Sequence, residues 1–365
     1  MKAETTKHEK KIGVFHVRWM SFFSFIFAAL YFASSAVAQA AVSECDAVWG
    51  ASSGIVTEQV DYVPKKPGKK GDLRSSLVDG SYVVRLSGWL YYPADLVVKD
   101  APVLIYNHGS GRKPGEPCAI AKYFVKHGFV VLVPLRRGHS ARTPERIPSN
   151  WKRIESTGVY TDDYAADCKA NRNCPACTKD SCPDGLIEID YIRQQVADVA
   201  DQIGYMKARP AIGKNATGKL ADPKRIAIAG HSYGGSLMVF ANAELKEHSV
   251  AIDISGAELS WERNPHWRTV LSETMNRGQQ RPIYLLQPAN ARSLGPTEVL
   301  SAIAVSRKYP AQAKIFPAAP CFKNPCDTSE ESEARQAHMT FVRRREQVEL
   351  WAPSVIEFIN RYPRP

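Results

Sequence analysis

Short apolar runs alternate along the chain with segments whose apolar residues step by three and four. Pro102-Val-Leu-Ile-Tyr106 and Phe129-Val-Val-Leu-Val-Pro134 read as strands buried on both faces, with Glu116 to His127 as the crossover helix between them, ending at Gly128. Ser81 to Tyr92 alternates like an early antiparallel strand. Ile189, Ile192, Val196, Val199, Ile203 and Met206 line one face of a long helix. The strand Arg225–Ala229 then precedes a helix from about Tyr233 to Leu245, and the strands Val250–Ile254 and Pro282–Leu286 follow. A helix near Thr297 to Lys308, the strand Ala313–Phe316 and a final helical stretch broken at Pro353 complete the pattern. Strands and helices taking turns in this way predict an α/β fold, a mostly parallel sheet flanked by helices on both faces.

One interval departs from this rhythm. Residues 141–186 are rich in Pro, Asp, Asn and Cys, and a long irregular segment in a compact domain is usually a lid or a binding loop. No internal repeat or low-complexity tract appears, so residues 41–365 read as one domain carrying this cysteine-rich, lid-like insertion.

The first 40 residues have a different character. Lys2, Lys7, Lys10, Lys11 and Arg18 precede an apolar run from Met20 to Phe32, and small residues follow, ending in Ala36-Val-Ala-Gln-Ala40. A basic start, an apolar middle and an A-x-A end form a secretory signal peptide, cleaved after Ala38 or Ala40. The apolar core is short for a bilayer span, so no stable membrane span is expected after cleavage. The product would be secreted or periplasmic. The formal net charge of the 365-residue chain is +11, and it falls to +8 without residues 1–40. The local basic cluster Lys65, Lys66, Lys69, Lys70 and Arg74 is interleaved with Pro and Gly and lacks aromatics. It reads as a solvated loop, and a nucleic-acid partner is not expected.

All eight cysteines lie in the exported part, where disulfides are the expectation. Cys168, Cys174, Cys177 and Cys182 would form two bridges inside the insertion; a four-thiolate zinc site is the alternative, disfavoured by an oxidising compartment, and no metal is expected. Cys321 and Cys326 would close a small loop, leaving Cys45 and Cys118 to pair across the fold. Spacing alone does not fix the connectivity.

The strongest chemical signal is Gly230-His-Ser-Tyr-Gly-Gly235, set between a predicted strand and a predicted helix. Glycines at those positions permit a sharp strand-to-helix turn that lifts the hydroxyl of Ser232 above the sheet edge, as a nucleophile requires. The amide of Tyr233, at the helix start, would face a developing oxyanion. A second donor is expected from Asn107-His-Gly-Ser-Gly111, with Ser110 the first candidate and Gly109 the next. A serine hydroxyl needs a base. Of nine histidines, His338 follows the last strand and stands immediately before the predicted last helix, where the base belongs in the chain order serine, acid, histidine.

Taken together, the HGSG turn, Arg136-Arg-Gly-His-Ser140, GHSYGG, Ser255-Gly-Ala-Glu-Leu-Ser-Trp261 and the late Ala337-His338 resemble the dienelactone-hydrolase-like branch of the α/β-hydrolases, over residues 80–362. That resemblance implies the α/β-hydrolase fold and a carboxylesterase-like serine hydrolase acting on a small-molecule ester without a cofactor, with Ser232 as nucleophile and His338 as base. GHSYGG also looks like the corresponding turn of prolyl-oligopeptidase-type peptidases, so a peptidase or amidase is the alternative within the class. The family's acid position, after the strand Pro282–Leu286, holds Ala291. Asp253 or Asn290 is then expected to orient His338, with Glu298 or Asp327 as further candidates; with no acid at all, the chain would be a non-catalytic binding protein that keeps the pocket.

Overall fold

The computed structural model describes residues 44–50, 53–62, 75–78, 81–84, 86–94, 97–110, 117–136, 152–154, 159–161, 189–277, 281–321 and 329–364. Among these residues eight strands form the main sheet: β1 (Ile55–Tyr62), β4 (Leu86–Pro93), β5 (Ala101–Asn107), β6 (Val130–Pro134), β9 (Ala221–His231), β10 (Ala251–Ile254), β11 (Ile283–Pro288) and β12 (Ala311–Phe316). Their spatial order is β1-β4-β6-β5-β9-β10-β11-β12. β4 is antiparallel to both its neighbours, and every pair from β6 to β12 is parallel. This order, with β4 alone reversed, is the α/β-hydrolase fold.

The pleat divides the core in two. On β9, Ile226 and Ile228 join one cluster and Ala227 and Ala229 the other; β5 does the same with Val103 and Ile105 against Leu104 and Tyr106. The first cluster is completed by α3 (Ile189–Ala208), α4 (Tyr233–Glu244), α5 (Pro265–Arg277) and α6 (Gly295–Ser306). The second holds α2 (Cys118–Lys126), α7 (Glu330–Arg343) and α8 (Arg345–Arg361), together with Cys45 of the short α1 (Glu44–Trp49). Strands sealed on both faces explain the unbroken apolar runs in the sequence.

Some boundaries differ from the expected ones. The Ser81–Tyr92 run divides: β3 (Ser81–Val84) pairs with β2 (Ser75–Val78) in a separate hairpin, and only the part from Leu86 joins the main sheet. The register explains the division, because Leu86 lies opposite Tyr62, the last residue of β1. Pro353 does not break the last helix. It sits inside α8, whose buried Val348, Trp351, Ala352, Val355, Phe358 and Ile359 run past it as one stripe, so packing outweighs the lost backbone bond. The break falls at Arg344, which is extended at φ −82 and ψ 134, amid three consecutive arginines with nothing apolar to bury. As a result His338 lies within α7 rather than in front of the last helix.

Cys45 and Cys118 form a disulfide with Cα atoms 5.1 Å apart. Cys321 is also disulfide-bonded. Cys168, Cys174, Cys177, Cys182 and Cys326 lie outside the described residues, as does most of the 141–186 insertion; β7 (Lys152–Ile154) and β8 (Val159–Thr161) form a hairpin within it. No helix among the described residues is long and apolar enough to cross a membrane. Because the Cys45–Cys118 bridge spans a separation of 73 residues, replacing both cysteines by alanine should lower unfolding free energy by about 2–4 kcal/mol. Urea unfolding of the double variant against the oxidised wild type measures it, and an unchanged midpoint would show that the bridge does not restrain the unfolded chain.

Candidate active site

β9 delivers Ser232 to the sheet edge with φ 59 and ψ −123, a left-handed conformation that costs a non-glycine residue about 1–3 kcal/mol. Surrounding contacts hold it there. The Ser232 amide donates to Ile254 O on β10 (2.9 Å), and its carbonyl accepts from Ser236 N (3.1 Å). A serine before a helix normally caps it with its side chain, but this backbone angle forbids that, and the hydroxyl makes no capping bond. The half-buried Ser232 hydroxyl is thereby left for other chemistry.

Glycines around the turn are required by space. A Cβ on Gly230 would sit 2.1 Å from Gly234 O, and one on Gly234 would sit 2.2 Å from Asn107 O at the end of β5. The strand-to-helix turn at Ser232, an elbow in the chain, and the HGSG turn are thus pressed together backbone to backbone. Gly109 lies directly over the serine: its missing Cβ would be 3.1 Å from Ser232 Cβ. Tyr233 opens α4, so its amide has no acceptor inside the helix. The structure therefore gathers Ser232, Tyr233, Gly109 and the adjoining Ser110 at one edge.

His338 approaches from α7. Its ring is 4.3 Å from that of His231, the residue before Ser232, and its carbonyl accepts from His231 Nε2 (3.0 Å). Burial and the neighbouring His338 hold the His231 imidazole well below its ordinary range, so it serves as a neutral donor. On its other side, His338 Nδ1 donates to Glu258 Oε2 at 2.9 Å, with the side chains 2% and 0% exposed. The second oxygen, Glu258 Oε1, accepts from the amide of Arg292 (3.1 Å). Both oxygens of a fully buried carboxylate are therefore engaged, which avoids the penalty of burying an unpaired one. With Nδ1 carrying the proton toward Glu258, Nε2 is the ring nitrogen left to accept one.

Glu258 is the residue the sequence reading missed, although it stands in the Ser255–Trp261 stretch. Asp253 does not reach His338. The neighbouring Ile252 and Ile254 face the α7 and α8 layer, so the pleat turns Asp253 to the opposite side, under α4. There its Oδ1 accepts from Gly256 N (2.7 Å) and packs so closely that a Cβ on Gly235 would lie 2.2 Å away. Asn290 is committed elsewhere as well, donating to Ala319 O (2.9 Å) and accepting from Ala319 N (2.8 Å). Glu298 is exposed in the first turn of α6, and Asp327 lies outside the described residues. The loop holding Ala291 still serves the acid through the main chain of Arg292, whose side chain is tethered to Glu331 (3.3 Å). A signal for Glu258 existed: polar site groups in such sheets lie beyond the strand ends, and Glu258 is past the end of β10 whereas Asp253 is inside it.

No protein-family model matches the chain, and no curated protein matches it. Among solved structures it is similar to Pyrococcus horikoshii acylaminoacyl peptidase, at 14% identity over 82% of this chain and 42% of that one, with a TM-score of 0.44. It is also similar to the α/β hydrolase GrgF from Penicillium sp. sh18 (16% identity, 84% and 99% covered, TM-score 0.49) and to acetyl xylan esterase from Paenibacillus sp. R4 (14%, 84% and 89%, 0.44). The chain spans 41% to 42% of the length of the acylaminoacyl peptidase chains it matches.

Burial pushes the Asp253 carboxyl up to about 7, opposed by its bond from Gly256 N. The folded state then keeps a proton that the unfolded chain releases near pH 4. The associated stability is complete below that value and is lost as pH climbs to about 7, by at most about 1.4 kcal/mol per pH unit. Asp253→Asn cannot ionise, so it should gain stability relative to wild type across this window. Urea unfolding of both proteins at intervals between about pH 4 and pH 8 measures this, and a constant difference would mean the carboxylate is already ionised in the fold.

Proposed function

We propose that the protein is an exported serine hydrolase that cleaves a small-molecule carboxylic ester through an acyl-enzyme on Ser232. The observation that carries this reading is the buried Glu258–His338 pair at 2.9 Å, held against the residue that precedes a strained serine. A chain that only bound ligands would have no use for an oriented imidazole, a strained hydroxyl and a glycine-lined turn together.

In this reading Ser232 Oγ attacks the ester carbonyl while His338 Nε2 takes its proton. Glu258 fixes the ring and stabilises its cationic form, the part a buried carboxylate plays in hydrolase triads. Charge growing on the carbonyl oxygen is met by the amides of Tyr233 and Ser110. The alcohol leaves with the proton from His338, and a water, deprotonated by the same nitrogen, releases the acid and restores the serine. Export rests on the basic and apolar pattern of residues 1–40 and is supported by the Cys45–Cys118 bridge. Glu258 beside His338 weighs for an enzyme over a binding protein that has lost its acid.

A fluorophosphonate probe should label Ser232 in the folded wild type and fail on Ser232→Ala. An unlabelled wild type would sink the hydrolase reading. Glu258→Gln should lower kcat on a p-nitrophenyl ester by about 10²- to 10⁴-fold. Ala291→Asp alone should bring no gain, since Glu258 already occupies the imidazole; a large rise would mean His338 lacks an effective partner.

A further inference from the structure

Arg136 follows β6 and is a charged residue only 1% exposed. Burying a guanidinium is costly unless its contacts repay the lost hydration. Its Nη2 donates to Gly109 O at 2.7 Å, and its Cζ lies over the Tyr233 ring, 4.5 Å from the centroid. His108 joins the same arrangement: Nδ1 donates to Gly109 O (2.8 Å), and Nε2 accepts from the backbone amide of Arg136 (3.3 Å). One side chain therefore touches both the Gly109–Ser110 peptide and Tyr233, which carry the oxyanion donors of the proposed reaction.

We infer that Arg136 is a positioning residue for the oxyanion hole, acting through the Gly109–Ser110 peptide and the Tyr233 ring. This inference rests on the hydrolase reading. A peptide unit is planar and trans, so its C=O and N–H point in opposite directions. Fixing Gly109 O on the guanidinium and on His108 fixes the direction of Ser110 N–H as well. A charged donor on the carbonyl also draws electron density through the amide, which makes the N–H at its other end a stronger donor. The Tyr233 ring beneath the guanidinium holds the start of α4 in register with that peptide. Arg136 needs no contact with substrate, and its influence grows as the oxyanion forms, so it acts on kcat and leaves KM alone.

The test uses the full mature protein and a neutral ester, p-nitrophenyl acetate, with Arg136→Met and Arg136→Lys. Expected are a kcat about 10- to 100-fold lower for Met, an unchanged KM, and a matching loss of affinity for an aryl trifluoromethyl ketone, which forms the tetrahedral oxyanion. Lysine keeps a charged donor for Gly109 O and should recover part of the rate. A Met variant with wild-type kcat, or one with raised KM and unaltered ketone affinity, overturns the inference, since the guanidinium would then be either idle or a ground-state binding group. Should Arg136→Met fail to fold, as judged by circular dichroism, Arg136→Lys decides: wild-type kcat and ketone affinity overturn it, and a kcat loss at constant KM supports it. Fluorophosphonate labelling separates the two levels of failure. A wild type that does not label at Ser232 brings down the hydrolase reading and this inference together, whereas equal labelling rates for wild type and the Met variant bring down only the role of Arg136.

Discussion

Holding one serine in a left-handed turn requires backbone to approach backbone more closely than any side chain allows. Gly230 against Gly234, and Gly234 against Asn107 and His108, bring the end of β9, the start of α4 and the end of β5 into a single contact. The remaining groups are placed relative to that contact. β10 supplies the acceptor for the Ser232 amide, His231 reaches across to the main chain of α7, and Arg136 grips the turn from the end of β6. The strain in the turn is small beside the sum of these packed contacts, which is why it persists.

The acid partner of His338 comes from the loop after β10, one strand nearer the elbow than the loop after β11. Getting it there takes an irregular chain path: Ser255 and Ala257 both have positive φ, at 53 and 59, around Gly256. Asp253 is the organiser of that path, since its carboxyl group gathers the Gly256 amide beneath α4. Two acidic residues five positions apart thus divide the work, one shaping the loop and one meeting the histidine.

Much of the architecture was legible in the sequence because buried parallel strands are apolar throughout, and the elbow was legible because its glycines are a steric necessity. β1 gives no continuous apolar run, since half of this edge strand, Thr57, Glu58, Gln59 and Asp61, is polar and only Val60 and Tyr62 are buried. Local propensity points to a helix break at Pro353, whereas the apolar stripe of α8 decides the matter and the discontinuity lies at Arg344. Glu258 is hidden in the sequence for a related reason. A carboxylate in a strand announces itself against apolar neighbours, but one in a turn looks like ordinary solvent-facing polarity until the turn is folded inward. Pleat direction, which excludes Asp253, can be read only after its neighbours are assigned to a layer.

The bond from the Arg292 amide to Glu258 bears on how such a site could change over time. A main-chain N–H is offered by every residue except proline, so the loop after β11 can alter its side chains without withdrawing its support from the carboxylate. Position 291 is in that sense chemically unburdened, while position 258 carries the demand that a side-chain motif would look for elsewhere. Only proline at 292 would withdraw that donor and leave one oxygen of the buried Glu258 carboxylate unpaired.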